Sequence, residues 1–269
     1  MKKIFYLLST ICFAINAQNI SVSSGNSFTI EKGGSVTVSG DFSNSGTFTL
    51  NSDADEFSSI IVGGSSSGDI IYNRYVNTVG SGEWDLVGSP VDGLSIDAFV
   101  TANSSAIAES GSSYAFGIFD NVANSWNNYT TTSVANAGNF DIGSGYQMAT
   151  NNGQTLAFTG NIATTDQGQS VINNNASGGR RWNLVANPFP SYLKATNGAD
   201  ANNNFLKVNL DSGVIDNGAF SAIYGWNADG SGYTPYNHTS GSVYMAPGQG
   251  FFIAAASASS ANLSFTQAM

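Results

Sequence analysis

Between residues 18 and 76 the apolar positions come in short alternating sets: Phe28-Thr29-Ile30, Val36-Thr37-Val38, Phe48-Thr49-Leu50, Ile60-Ile61-Val62 and Ile70-Ile71-Tyr72. Alternation places the apolar side chains on one face of an extended chain and Ser or Thr on the other. The sets start 8, 12, 12 and 10 residues apart, and Gly33-Gly34, Asn44-Ser45-Gly46 and Gly63-Gly64 turn the chain between them. This spacing fits a small β-meander or a few rungs of a β-solenoid, and the shortness and likeness of the strands favour the solenoid.

The rest of the chain reads as one pattern used twice, over residues 77–162 and 163–269. Trp84-Asp85-Leu86-Val87-Gly88-Ser89-Pro90 matches Trp182-Asn183-Leu184-Val185-Ala186-Asn187-Pro188 at an offset of 98. Phe119 and Trp126 answer Trp226 and Tyr233 at 107, Gly143-Ser144-Gly145 answers Gly248-Gln249-Gly250 at 105, and Leu156-Ala157-Phe158-Thr159 answers Leu263-Ser264-Phe265-Thr266 at 107. The order holds and the offset drifts by only nine residues.

Each copy predicts mostly strand. Trp-x-Leu-Val is a strand ended near Pro, which cannot donate to a ladder. Residues 121–125 and 228–232 read as hairpin turns. One short helix per copy is expected, over 95–101 and 202–208. Gly145 and Gly250 read as positive-φ positions. The fold class is therefore all-β: a solenoid or meander, then two tandem β-sandwich modules of jelly-roll type. Trp84 shares a strand face with Leu86, and Trp182 with Leu184, so both tryptophans are expected in equivalent, largely buried sites. Glu83 and Arg181 then point the other way and could meet if the copies pack side by side.

Composition narrows the setting. Lys2 and Lys3 precede a run from Ile4 to Ile15 that is apolar apart from Ser9 and Thr10, and Ala17 offers a cleavage point before Gln18. That is the form of a signal peptide over residues 1–17 and too short for a membrane span. Cys12, the only cysteine, lies inside it and lacks the context of a lipidation site, so disulfides and thiolate metal sites are not expected. Without Lys2 and Lys3 there are 6 basic against 18 acidic residues, a net charge of −12. Such a surface repels nucleic acid and anionic lipid.

Candidate chemistry is sparse. The one histidine, His238, sits in a polar loop with no nucleophile motif. Asp85, Asp92 and Asp97 could pair as glycosidase carboxylates, but Asp85 is replaced by Asn183 in the second copy, which reads as a surface position. Asp200, Asn202, Asn204 and Asp211 have the spacing of a calcium loop, except that Phe205 stands where the loop needs glycine. Asp200 or Asn202 as a helix N-cap is the competing reading, and no cofactor is otherwise expected. Asp53, Asp55 and Glu56 read as a solvated turn. Gly248-x-Gly250 lacks the third glycine and the helix of a nucleotide loop. Trp126, Tyr129, Tyr233 and Tyr236 flank the hairpin turns and are the candidates for a sugar-stacking face, against a core role.

These motifs in this order resemble secreted and cell-surface β-repeat proteins of Bacteroidota, of flavobacterial type. The resemblance is carried by Ile71-Tyr72-Asn73-Arg74-Tyr75, the Trp84 motif, Trp182 to Ser191 and Ala246-Pro247-Gly248-Gln249-Gly250-Phe251-Phe252. It implies export by type IX secretion, which commonly uses a C-terminal sorting domain. No such domain follows Phe265-Thr266-Gln267-Ala268-Met269, so a fragment or truncated product is expected. The functional expectation is an exported, non-catalytic structural or adhesive segment of a surface protein. The alternative is a carbohydrate-binding module. A glycan or another surface protein would be the partner, with no nucleic acid and no membrane span in the mature chain.

Overall fold

The computed structural model describes residues 14–80, 84–174 and 180–269. Its first part is a wound coil of nine strands: β1 (Ala14–Ala17), β2 (Ile20–Val22), β3 (Ser27–Ile30), β4 (Ser35–Val38), β5 (Phe42–Asn44), β6 (Thr47–Asn51), β7 (Ser59–Val62), β8 (Ser66–Ser67) and β9 (Ile70–Val76). They form three ladders, β1-β4-β7, β2-β5-β8 and β3-β6-β9, all parallel. Parallel pairing is the connectivity of a coil; neighbours in a meander run antiparallel. Partners run from 20 positions apart (Ser27↔Thr47) to 24 (Ser35↔Ser59). The spacing seen along the sequence is thus that of one side of the coil, not of a full rung. β1 falls inside the segment read as a signal peptide, and residues 1–13 lie outside the described residues.

The alternating side chains fill the coil. Val36, Val38, Phe48, Leu50, Ile60 and Tyr72 are buried, and Phe48 stacks on Phe28 at 5.1 Å and meets the edge of Phe42 at 5.0 Å.

The chain then forms β10 (Asp85–Val87), α1 (Ile96–Ala102), β11 (Glu109–Ser110), β12 (Ser113–Asp120), β13 (Ser125–Thr130), β14 (Tyr146–Met148) and β15 (Gln154–Gly160). One antiparallel sheet has the order β10-β14-β12, with β13 and β11 both paired to β12. β15 instead pairs antiparallel with β9, from Gln154↔Val76 to Gly160↔Ile70. This ladder spans residue 76, so the coil and the first sheet share one core running from Val22 to Ile162.

The last third repeats that order of elements: β16 (Gln167–Val171), β17 (Trp182–Ala186), β18 (Leu193–Lys194), α2 (Phe205–Asp211), β19 (Ala222–Trp226), β20 (Tyr233–Asn237), β21 (Tyr244–Met245), β22 (Gly250–Ala254) and β23 (Ala261–Phe265). The sheet β17-β22-β19-β20 has the strand order of β10-β14-β12-β13, and β16 pairs β23 as β9 pairs β15. A separate core includes Val185, Phe205, Phe251 and Phe265. The protein is all-β, and the described residues hold two seven-residue α-helices and one 3-10 turn at Val134–Asn136. Among the described residues no helix is long and apolar enough to cross a membrane.

Caps place the helices. Ser95 accepts from the Ala98 amide at 3.1 Å and starts α1 one residue after its expected start. Asn204, rather than Asp200 or Asn202, caps α2 by accepting from the Lys207 amide at 2.9 Å, so that helix begins three residues later than its pattern predicts.

Candidate functional site

A strand has two faces, and in Trp-x-Leu-Val both are apolar. Val87 and Val185 turn into the two cores. Trp84, Leu86, Trp182 and Leu184 turn the other way, toward the junction of the two sheets. There Leu86, Leu184 and Phe252 are buried among Phe119, Trp182, Tyr224 and Trp226. Both tryptophans are half-buried and outside the module cores, which corrects the expectation of deep burial. Trp84 packs on Ala108, Ala115 and Ala149, whereas Trp182 meets Tyr224 edge-on at 4.8 Å and Phe220 at 5.5 Å. Apolar period alone does not say which apolar face finds the core. Glu83 lies outside the described residues; Arg181 pairs with Asp216 at 3.1 Å and sits over the Phe220 ring.

The junction is reciprocal. Val87 bridges Gln249 and Val185 bridges Ser144. Gly88 N–H donates to the Gly248 carbonyl at 2.9 Å, and Ala186 N–H donates to the Gly143 carbonyl at 2.9 Å. Each sheet's Trp strand thus docks on the other sheet's Gly-x-Gly turn. This corrects the reading of those glycines. Positive φ belongs to Gly143 (+83°) and Gly248 (+64°), not to Gly145 and Gly250. The latter two are glycine for space: a Cβ on Gly145 would lie 2.6 Å from Leu184 Cγ, and one on Gly250 2.7 Å from the Leu86 carbonyl carbon.

Two clefts open beside the junction. One, of about 370 Å³, is lined by Phe119, Asn124, Trp182, Tyr224, Tyr233 and Phe252. The other, of about 210 Å³, is lined by Trp84, Leu86, Trp126, Gln147, Trp226 and Tyr233. The hairpin turns present the outermost rings: Trp126 is 37% exposed and Tyr233 45%. Ring centres lie 5.2 Å apart for Phe119–Trp126 and 4.9 Å for Trp226–Tyr233, and Phe252 lies 5.6 Å from Tyr233. The structure divides the four aromatic candidates by strand face. Trp126 and Tyr233 reach the clefts. Tyr129 is half-buried against the first core, 4.8 Å from Phe116, and half-buried Tyr236 points to the face of β20 opposite Tyr233.

Behind the smaller cleft is a polar pocket of about 330 Å³ that shares Leu86 and Trp226 with it and contains Arg74, Asn77, Asp85 and Gln249. Arg74 is buried. Its Nε donates to the Pro247 carbonyl at 3.0 Å, its Nη1 to the Tyr75 carbonyl at 2.7 Å, and its guanidinium lies 4.2 Å over the Phe57 ring. Asp85 accepts from the Asn77 amide at 2.8 Å. Burial pushes the Asp85 carboxyl up, against the Arg74 charge and the Asn77 amide, and burial pushes the Arg74 guanidinium down, against the Asp85 charge. Asp85 is thus half-buried rather than freely exposed. Asn183 holds the equivalent place with both ends of its amide, accepting from Ile172 N–H at 3.1 Å and donating to Ile172 O at 3.0 Å. Gln169 stands opposite Leu263 as Arg74 stands opposite Leu156, and with Asn183 it lines a second polar pocket of about 310 Å³ that adjoins the larger cleft at Phe119. Sequence reading missed Arg74 as a site residue; its only signal was an arginine at a strand position whose neighbours alternate with core.

The calcium candidates do not converge. Asp200 accepts from the amides of Asn202 and Asn203 and pairs with Lys194 at 3.0 Å. Asn204 is buried and committed to the cap, to Asp200 O and to Asn197. Asn202 is exposed, and Asp211 pairs with Lys207 at the far end of α2, about 10 Å along the helix axis. Asp92, Asp97 and His238 are exposed and scattered. Asp53 pairs with Lys32 and accepts from the amides of Asp55 and Glu56. Among the described residues no group of three His, Cys, Asp or Glu side chains could hold a metal ion.

Asp200 makes a test by acid. The two backbone amides, then Lys194, hold its carboxyl at about 2, below the ordinary 3.8. A depressed folded pKa stabilises the fold above the unfolded value, and that contribution fades as pH falls from about 4 to about 2. Asp200→Asn is expected to melt below the unchanged protein at pH 6 and level with it at pH 2. A gap that does not close in a pH series of thermal melts would refute the assignment.

A wound β-coil fused to two reciprocally docked antiparallel sheets, with aromatic clefts at their junction, defines an all-β protein with ligand-sized surface grooves. The chain belongs to the family described as Domain of unknown function (DUF8693), whose model matches residues 6–269. No curated protein and no solved structure matches it.

Proposed function

We propose that the protein is an exported, non-catalytic adhesive protein of the cell surface that binds saccharide in its aromatic clefts. One observation carries the reading: Trp126 and Tyr233 stand exposed over clefts lined largely by aromatic rings. A sugar ring stacks its apolar C–H face on such surfaces and turns its hydroxyls to polar groups at the rim. Polar groups in the adjoining pocket supply both hydrogen-bond senses, with Arg74 as donor and half-buried Asp85 as acceptor. Export is supported by the basic, apolar and small-residue order of residues 2–17, and a surface location with type IX secretion by the resemblance to Bacteroidota proteins. The scattered carboxylates and the exposed loop histidine support a binding role over a catalytic one.

A glycan array of the purified chain is the direct test. Binding to neutral glycans is expected, with at least a tenfold loss on Trp126→Ala together with Tyr233→Ala, as removal of two stacking rings implies. Equal signals from both proteins would leave the structural reading, in which the rings serve only to pack the sheets together.

A further inference from the structure

We infer that the two clefts form one continuous track that holds a single neutral saccharide chain across both sheets. The inference rests on the saccharide reading above and adds the number, continuity and ligand class of the sites.

The linings correspond by position. Trp84 in the smaller cleft stands where Trp182 stands in the larger, and Trp226 where Phe119 stands. The reciprocal docking of the two sheets produces this, because each Trp strand is brought against the other sheet's Gly-x-Gly turn. The clefts also meet. Tyr233 lines both, and ring centres step from Trp226 to Tyr233 (4.9 Å), to Phe252 (5.6 Å), to Phe119 (4.9 Å) and to Trp126 (5.2 Å). These rings meet edge to face, and the last step to Trp126 returns to the smaller cleft, so the ring that joins the two clefts is Tyr233.

The polar pockets beside the clefts specify the ligand. The smaller cleft adjoins Arg74 and Asp85 through Leu86 and Trp226, and the larger adjoins Gln169 and Asn183 through Phe119. Asn183 spends its donors on the Ile172 and Arg181 carbonyls. That leaves the Gln169 amide in one pocket and Arg74 beside Asp85 in the other as paired donors and acceptors. These match hydroxyl groups, since a hydroxyl both donates and accepts. A polyanion is opposed by Asp85 and by a chain of net charge −10. A purely apolar ligand would cover these polar pockets without satisfying them. A neutral sugar chain has apolar faces for the rings of the two clefts and hydroxyls for the two pockets.

Titration calorimetry of the full chain with cello- and chito-oligosaccharides tests this. A disaccharide is expected to bind twice per chain. A hexasaccharide of the same sugar is expected to bind once, about 100-fold tighter, because the second contact becomes intramolecular. Trp84→Ala and Trp182→Ala should each reduce the disaccharide to one equivalent and abolish the gain with length. A disaccharide that binds once, with no gain for the hexasaccharide, overturns the track and leaves the saccharide reading standing. If neither sugar of either length binds, the saccharide reading falls and the track with it. The stoichiometry is measured on the unaltered chain, so the test does not depend on a variant folding.

Discussion

Asn209→Leu is expected to cost the fold about 4 kcal/mol, although leucine is apolar, of similar size and a better helix former. Asn209 is fully buried within α2 and works as a strand edge. Its amide nitrogen donates to the Ser264 carbonyl at 2.9 Å and to the Phe205 carbonyl at 2.9 Å, and its carbonyl accepts from the Ser264 amide at 2.8 Å. It thereby pairs the free edge of β23 where no strand can follow. Leucine would leave a donor and an acceptor of Ser264 without partners, at about 1–3 kcal/mol for each buried group. Asn103 does the same for β15, bonding the Ala157 carbonyl at 3.0 Å and the Ala157 amide at 2.8 Å, so Asn103→Leu should lose a similar amount. Guanidinium denaturation of both variants reads this out. A loss below about 1 kcal/mol in either would mean that water replaces the side chain at that edge.

The second large effect is expected at the junction. Gly250→Val should destabilise the chain by about 3 kcal/mol, the upper range for overpacking, because the obstruction is backbone. A Cβ there meets the Leu86 carbonyl carbon at 2.7 Å and its oxygen at 2.9 Å, and a strand cannot rotate away as a side chain would. The junction should part rather than either core, since Phe251 and Ile253 face their core from the other side of β22. Tryptophan fluorescence should shift red as Trp182 and Trp226 are wetted. Gly241→Ala, where a Cβ meets nothing within 4 Å, is the control and should change neither signal. If Gly250→Val melts with the parent and keeps its emission, the two sheets are not held by this contact.

Local chemistry was enough to read the all-β class, the alternating sets of the coil and the hairpin turns, because each depends on residues within a few positions of one another. Where two local signals competed the reading slipped. Asp200 and Asn202 look as capable of capping as Asn204, and only Asn204 sits where the chain enters α2.

The candidate site was legible only in part, for a reason of geometry. Period two assigns Trp84 and Leu86 to a common face, and that much needs no fold. Which face meets a core is decided by what arrives from elsewhere: Gln249 against Val87 and Ser144 against Val185. Those contacts turn the tryptophans from core residues into the walls of a cleft and set Trp126 beside Phe252, 6.1 Å away. Arg74 shows the same limit, since its Nε bond to the Pro247 carbonyl spans 173 positions. Sequence by itself determined the all-β class and the aromatic stock from which a site could be made, because propensity and period act along the chain. Tertiary structure alone decided that the two patterns dock reciprocally, that their Gly-x-Gly turns give room for that contact, and that the rings left over line two adjoining clefts. Docking depends on surfaces meeting across space, and local propensity carries no term for it.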